Sequence, residues 1–430
     1  MNVQVKPGPL KGKIQVPGSK SHTIRSVLLA TLAQGQTCIE NPLASGDGLS
    51  ALRAARAFGA IVDQSQQRWV VQGRGGNLLV PQDVVDTKNS GTTTCLFTSV
   101  AALVDGYTVI TGDEQIRRRP ILGLVEALNT LGATAFLTRP KQGCPPVVVK
   151  GLLQGGEVSI EGKNSQYVSS LLLSAPLAKR TTVIHVHNAL EKPYVQLTLD
   201  WMKRLGVEVE NPEQYTRFTI EGGQRYHGGN FLIPADWSAV AFPLVAAAIT
   251  NSDLVLTGLD FSDSQGDKRI VEILTSFRAN IQRQGEGELR IMGNAPLQGG
   301  LTIDLSDIPD ALPALAVLAT QAEGQTVFIN LEHVRQKETD RVEEMTLKLN
   351  ALGCNLRMEN DCLVVEGPTR IQSGIVSSSD DHRIAMALVV AGLAAQGEIV
   401  VTDAQCADVS FPGFFSKLAE CGADLSIQEE

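Results

Sequence analysis

Two short segments, Gly18-Ser-Lys-Ser-His-Thr-Ile-Arg25 and Asp380-Asp-His-Arg383, set cations among hydroxyls and acids in turns that lead into apolar runs. Asn89-Ser-Gly-Thr-Thr93, Asn164-Ser-Gln-Tyr167 and Asp310 after Ile308-Pro309 stand in comparable turns. Glycine and small hydroxyls let backbone amides approach an anion. Lys20, Arg25 and Arg383 add charge that can form short bonds to phosphate or carboxylate. Two more cationic runs, Arg117-Arg-Arg-Pro120 and Arg335-Gln-Lys-Glu-Thr-Asp-Arg341, give the collection the sign that a substrate with two anionic groups needs. Asp310 and Glu338 are then the candidate proton carriers, because a carboxylate near several cations and a buried wall can be held at a useful pKa.

Each motif also has a plainer reading. Ser19-Lys-Ser reads as a helix cap with an exposed lysine, and Arg117–Arg119 as a solvated face. The Lys337–Arg341 stretch reads as a helix with i,i+3 and i,i+4 ion pairs, and Asp310 as the cap of its helix. Position favours the chemical reading, since most of these residues stand at equivalent points of a repeat.

The elements that must position them are written six times. Ala57-Phe-Gly-Ala-Ile-Val, Leu131-Gly-Ala-Thr-Ala, Leu205-Gly-Val-Glu-Val, Phe277-Arg-Ala-Asn-Ile, Leu352-Gly-Cys-Asn-Leu and Cys421-Gly-Ala-Asp-Leu each read as a helix end, a turn and a strand. They recur roughly every 70 to 75 residues. Five carry Gly at the turn (59, 132, 206, 353, 422), as a left-handed residue after a helix requires. In phase with them, six polar turns feed Ala/Leu-rich helices: Ser19 to Leu32, Asn89 to Leu103, Asn164 to Leu177, Asp236 to Ile249, Asp310 to Thr320 and Asp381 to Ala394. These helices show little polar face and should be buried. Six βα-type repeats result, and periodicity alone allows one ring or two bundles of three. If the repeats pack around an axis, the helix N-termini converge, and their free N–H groups make an anion site.

Composition sets limits. A chain of 430 residues with 43% apolar and 19% charged residues suits two or three globular domains. The longest apolar runs fall short of the roughly 20 residues of a membrane span. The N-terminal Lys6, Lys11 and Lys13 are not followed by an apolar segment of secretory type, so the expected compartment is the cytoplasm. A net charge of -9 argues against nucleic acid or anionic lipid as partner. The seven cysteines lack zinc-site spacing and read as reduced thiols; His185 and His187 share a strand face but have no evident third metal ligand.

Taken in order, Pro17-Gly-Ser-Lys-Ser, Asn89-Ser-Gly-Thr-Thr, Arg118-Arg-Pro, Ser165-Gln, Lys192-Pro-Tyr, Ile308-Pro-Asp, Arg335 to Arg341, Asp381-His-Arg and Phe411-Pro resemble the signature of the EPSP synthase family over essentially the whole chain. The resemblance implies an α/β fold: a two-domain inside-out α/β barrel of six βαβαββ repeats, three per domain. The domains would be residues 19–233, and 1–18 plus 234–430. It implies transfer of the enolpyruvyl group of phosphoenolpyruvate to shikimate-3-phosphate, without metal or organic cofactor. Phosphoenolpyruvate would lie near Lys20, Gly91, Thr92, Arg119, Gln166, Arg341 and Arg383. The phosphorylated ring would lie near Ser21, Arg25, Ser165, Gln166, Tyr194, Asp310 and Lys337, with Asn164 and His333 also at family positions. Glu338 or Lys20 would protonate the methylene carbon, Asp310 would take the hydroxyl proton, and domain closure would exclude water. A monomer fits a fold that closes on itself.

Some positions depart from the family pattern. Cys95 and Val409 stand where the pattern commonly has Arg and Lys. Glu191 replaces a Ser where the acceptor's phosphate is expected, His333 replaces Asn, and Asn164 replaces Ser. Glu191 must turn away or pair with Lys192 or Arg25. A related transferase acting on a different hydroxylated acceptor, and a binding protein without turnover, are the alternatives. UDP-N-acetylglucosamine enolpyruvyl transferases resemble the chain less, since Gly112 to Pro120 lacks their reactive Cys.

Overall fold

A helix that is apolar on every side needs neighbours on every side, and the six Ala/Leu-rich runs meet that need by packing on one another. The computed structural model describes residues 1–65, 67–211 and 214–429. The chain divides into two units, Gly18–Pro234, and Met1–Pro17 with Ala235–Glu430. The first holds α1 (Lys20–Leu32), α2 (Gly46–Ala57), α3 (Gly91–Ala101), α4 (Leu122–Thr130), α5 (Ser165–Ser174) and α6 (Lys192–Arg204). The second holds α7 (Trp237–Ile249), α8 (Ile270–Ser276), α9 (Leu312–Thr320), α10 (Arg341–Ala351), α11 (His382–Leu393) and α12 (Phe414–Glu420).

In the second unit α7, α9 and α11 pack together, and every residue of α9 and α11 is buried. In the first, α3 packs on α5 and on α1. These are the helices expected from sequence, with ends shifted by no more than three residues. The run to Leu177 breaks into a 3-10 turn, Ala175–Leu177, where Pro176 cannot continue the α-helical ladder. Among the described residues no helix is long and apolar enough to cross a membrane.

The sheets repeat one order. Val85–Asp86 runs parallel to Tyr107–Thr111, which pairs antiparallel with Cys144–Lys150, itself antiparallel to Thr134–Arg139. The same order recurs around Gln36–Glu40, Asp253–Thr257, Gly324–Ile329 and Ile399–Thr402. Strands near the chain termini or at the end of the 18–234 unit complete three of these sheets. Asn230–Leu232 pairs with Gln36–Glu40, Lys11–Gln15 with Asp253–Thr257, and Asn2–Val5 lies between Ile399–Thr402 and Leu425–Gln428. The architecture is mixed α/β, and among the described residues each unit carries three sheets: five are four-stranded, and the sixth, Gly156–Glu161, Thr182–His187 and Arg217–Ile220, has three strands.

The turn glycines behave as their positions require. Gly59, Gly132, Gly206, Gly353 and Gly422 have φ of 95°, 90°, 87°, 83° and 98°. In the remaining, fourth repeat Arg278 adopts φ 62° at the equivalent point despite its Cβ. The strand expected at Val207-Glu-Val is a correction: only Glu210 bridges to Thr219. The Gln224 side chain takes the place of a neighbouring strand, accepting from Glu208 N–H at 3.1 Å and donating to its carbonyl at 3.2 Å.

Candidate active site

In the unit of residues 18–234, the helix N-termini bring the expected residues forward. Lys20 opens α1, where a cation opposes the helix dipole, and Asp47 in the first turn of α2 compensates at 3.5 Å. Ser19 occupies the cap position without capping through its side chain, and Lys20 is mostly buried, so the plain cap with an exposed lysine is not what forms. Arg25, one turn on, is buried. Its Nε donates to Thr198 Oγ1 at 2.8 Å, Nη1 to the Ser21 carbonyl at 3.1 Å, and Nη2 to the Tyr194 carbonyl at 3.2 Å and Ser169 Oγ at 3.4 Å. Burial lowers its pKa to about 10, against the opposing pull of Tyr194 and Glu191, so it stays a cation at neutral pH.

The N-termini of α3 and α5 lie side by side, since Gln166 Nε2 donates to Thr92 Oγ1 at 3.2 Å. Ser90 caps α3 through Thr93 N–H, and Asn164 caps α5 through Gln166 N–H at 3.0 Å. Arg117 and Arg118 are exposed, but Arg119 turns inward over Gly91, where any Cβ would overlap its guanidinium. Cys95 is buried in α3; burial pushes its thiol up to about 12 although Arg119 opposes this, so it is no nucleophile at neutral pH.

Glu191 neither pairs with the exposed Lys192 nor caps α6. Its backbone is left-handed, at φ 51°, and its buried carboxylate accepts from Ser165 Oγ at 2.6 Å and Ser165 N–H at 3.3 Å.

In the unit formed by residues 1–17 and 235–430, one guanidinium organises three carboxylates. Arg341 is buried, with Nη1 2.7 Å from Asp310 Oδ1, Nη2 2.5 Å from Glu338 Oε2 and Nε 2.8 Å from Asp381 Oδ2. Burial alone would lower its pKa, but Asp381, Glu338 and Asp310 outweigh it and raise it above the ordinary arginine value. Arg383 Nη2 lies 3.0 Å from Asp310 Oδ2, which joins the N-terminal ends of α9 and α11. Three carboxylates against two guanidiniums leave a formal charge of -1 among these five groups.

Two plainer readings fail here. Asp310 does not cap α9: it lies in the 3-10 turn Pro309–Ala311, with its carboxylate committed to Arg341 and Arg383. The Lys337–Arg341 stretch is not helical until Arg341, because Asp340 caps α10 by accepting from Val342 and Glu343 N–H, although the expected i,i+3 ion pair does form between Glu338 and Arg341. His333 and Lys337 bracket the 3-10 turn Val334–Gln336, which delivers Glu338. Val409 ends the 3-10 helix Ala404–Val409 and supplies no cation. His185 Nε2 lies 2.6 Å from Glu157, and no group of three metal-ligating side chains occurs among the described residues.

Sequence reasoning missed Asp47, Asp381, Ser169 and Thr198 as partners of the site. Ser169 and Thr198 follow Ser165 and Tyr194 by four residues on their helices, a spacing that faces them the same way.

Comparison with known proteins finds relatives over the whole chain. The profile of one family, described as EPSP synthase (3-phosphoshikimate 1-carboxyvinyltransferase), matches residues 5–418. A protein of Acetivibrio thermocellus named 3-phosphoshikimate 1-carboxyvinyltransferase is 43% identical over 429 residues, covering 100% of both chains. One of the same name from Ruminiclostridium cellulolyticum is 42% identical over 427 residues, 99% of this chain and 100% of that one. The solved structure of an EPSP synthase from Acinetobacter baumannii superposes with a TM-score of 0.82 at 28% identity, covering 99% of this chain and 100% of that chain.

Proposed function

The chain belongs to the EPSP synthase family, and from that membership we propose how its own residues carry the reaction. It is a transferase that moves the enolpyruvyl group of phosphoenolpyruvate to the 5-hydroxyl of shikimate-3-phosphate, giving EPSP and inorganic phosphate in chorismate and aromatic amino acid biosynthesis.

In this reading residues 18–234 supply most of the acceptor site: Ser21, Arg25, Asn164, Ser165, Gln166 and Tyr194. The other unit supplies the catalytic acids. Lys20, Gly91, Thr92, Arg119, Gln166, Arg341 and Arg383 hold phosphoenolpyruvate, while His333 and Lys337 serve the substrates beside Glu338. Glu338 or Lys20 gives a proton to C3 of phosphoenolpyruvate. The acceptor oxygen bonds to C2 as Asp310 takes its proton. The tetrahedral adduct then loses the C3 proton and the C2–O bond to phosphate breaks, leaving the enol ether. Cations around the departing phosphate stabilise its charge.

One observation carries the assignment of proton carriers: the same buried guanidinium, Arg341, holds both Asp310 and Glu338, at 2.7 and 2.5 Å. An incoming anion competes for Arg341 and Arg383. Each bond it draws away raises the proton affinity of the carboxylate left behind, which suits a base and an acid that work only with substrate present. We further place the protein in the cytoplasm, acting as a monomer; the first is supported by seven cysteines without disulfides, the second by roles that all fall on one chain.

Turnover in deuterium oxide tests the proton transfers. Protonation at C3 followed by loss of a proton puts deuterium into the product methylene. Glu338→Gln should slow both incorporation and turnover. A product free of deuterium would rule out C3 protonation.

A further inference from the structure

A glutamate at the first position before a helix would ordinarily serve that helix. Glu191 does not: its left-handed backbone directs its side chain away from α6 and across to α5. There it takes two donors of one residue, Ser165 N–H and Ser165 Oγ, at 3.3 and 2.6 Å, in a buried setting where ordinary residues avoid leaving charge. The donors belong to the first turn of a helix, and the buried Arg25 guanidinium is close enough to interact with the carboxylate. Backbone strain, burial and bonding together indicate a built arrangement rather than a stray surface contact.

We propose that Glu191 is an internal competitor for the acceptor's phosphate: its carboxylate occupies the Ser165 donors, and shikimate-3-phosphate binds by displacing it. This rests on the reading that places the phosphorylated ring at Ser165 and Arg25. A dianionic phosphate and a carboxylate cannot share two donors, and their like charges oppose each other in a buried setting. Glu191 therefore sets how strongly a phosphorylated acceptor is preferred over one lacking the phosphate. The unphosphorylated ring has nothing to place at Ser165 and leaves Glu191 where it is.

Replacing Glu191 tests this in the full-length protein. Glu191→Ser should lower KM for shikimate-3-phosphate by about tenfold or more, as removal of a buried like charge implies. KM for phosphoenolpyruvate should stay put. The affinity of unphosphorylated shikimate, read by calorimetry, should not follow the gain. Glu191→Gln keeps the shape and removes the charge, so it should show part of the gain even if the Ser variant folds poorly. An unchanged or increased KM for shikimate-3-phosphate in the folded Gln variant would overturn the proposal and make Glu191 a support for Ser165. The reading beneath it fails differently: the wild-type protein would then make no EPSP. In that case calorimetry with inorganic phosphate still decides the inference, through tighter binding in the variants or none.

Discussion

At Gly91 a single methyl group would overlap the Arg119 guanidinium, so the absence of a side chain there is what lets the cation lie over the start of α3. Gly91→Ala should push Arg119 aside and raise KM for phosphoenolpyruvate roughly tenfold, the loss of one charge-assisted bond, as steady-state kinetics would measure. Asp310→Asn should lower kcat by about 10²- to 10⁴-fold while leaving the melting curve close to wild type, because the amide keeps the shape and loses the base. A variant that kept its kcat would remove Asp310 from proton transfer. Much of this was legible in the sequence, since Lys20, Arg25, Asp310 and Arg383 stand at equivalent turns, and Arg341 closes a dense cationic run. What each cation touches was not. Asp47 reaches Lys20 from the next helix, and Asp381 reaches Arg341 across 40 positions of chain. Nothing in spacing ties those pairs together, as packing of separate helices decides them. Glu191 was legible as an anomaly, but its hydrogen bonds to Ser165, with Arg25 in electrostatic reach, depend on the left-handed turn that aims it.

The elements follow local rules that the repeats make easy to compare. Five helices end in a glycine with positive φ, and the sixth ends in Arg278 at φ 62°. Arg278→Gly should therefore stabilise the protein by about 1 kcal/mol, since the Cβ penalty of the left-handed region exceeds the entropy that Gly adds to the unfolded chain. Urea titration would show it as a higher midpoint at constant slope. Asp236 caps α7 through Ser238 and Ala239 N–H, at 2.9 and 3.3 Å. Asp236→Ala should cost about 1 to 2 kcal/mol in the same titration. The buried helices were plain from sequence because they lack a polar face. The strand at Val207–Glu210 was misread because alternation alone does not reveal that the Gln224 amide would satisfy Glu208.

For the whole molecule, periodicity shows six repeats but does not sort them into bundles; that depends on which apolar faces find each other in space. The chain passes between units at Pro17-Gly18 and Pro234-Ala235, joints too short to stand out in composition. Within each unit the ends are tied: Ser19 N–H donates to the Pro234 carbonyl at 2.8 Å, and Asp236 N–H to the Pro17 carbonyl at 2.9 Å. A unit with paired ends and its own core should fold alone. Residues 18–234 expressed separately should melt cooperatively by circular dichroism, and should show no turnover because Asp310 and Glu338 are missing. The central claim is that this chain joins the enolpyruvyl group to a phosphorylated ring, and one measurement addresses it most directly. Phosphate release from phosphoenolpyruvate by the purified protein is followed with and without shikimate-3-phosphate, and the product is weighed by mass spectrometry. Release that requires the acceptor and yields the enolpyruvyl adduct is the expected result. A folded protein that releases no phosphate with that acceptor, or releases it without forming the adduct, would contradict the claim.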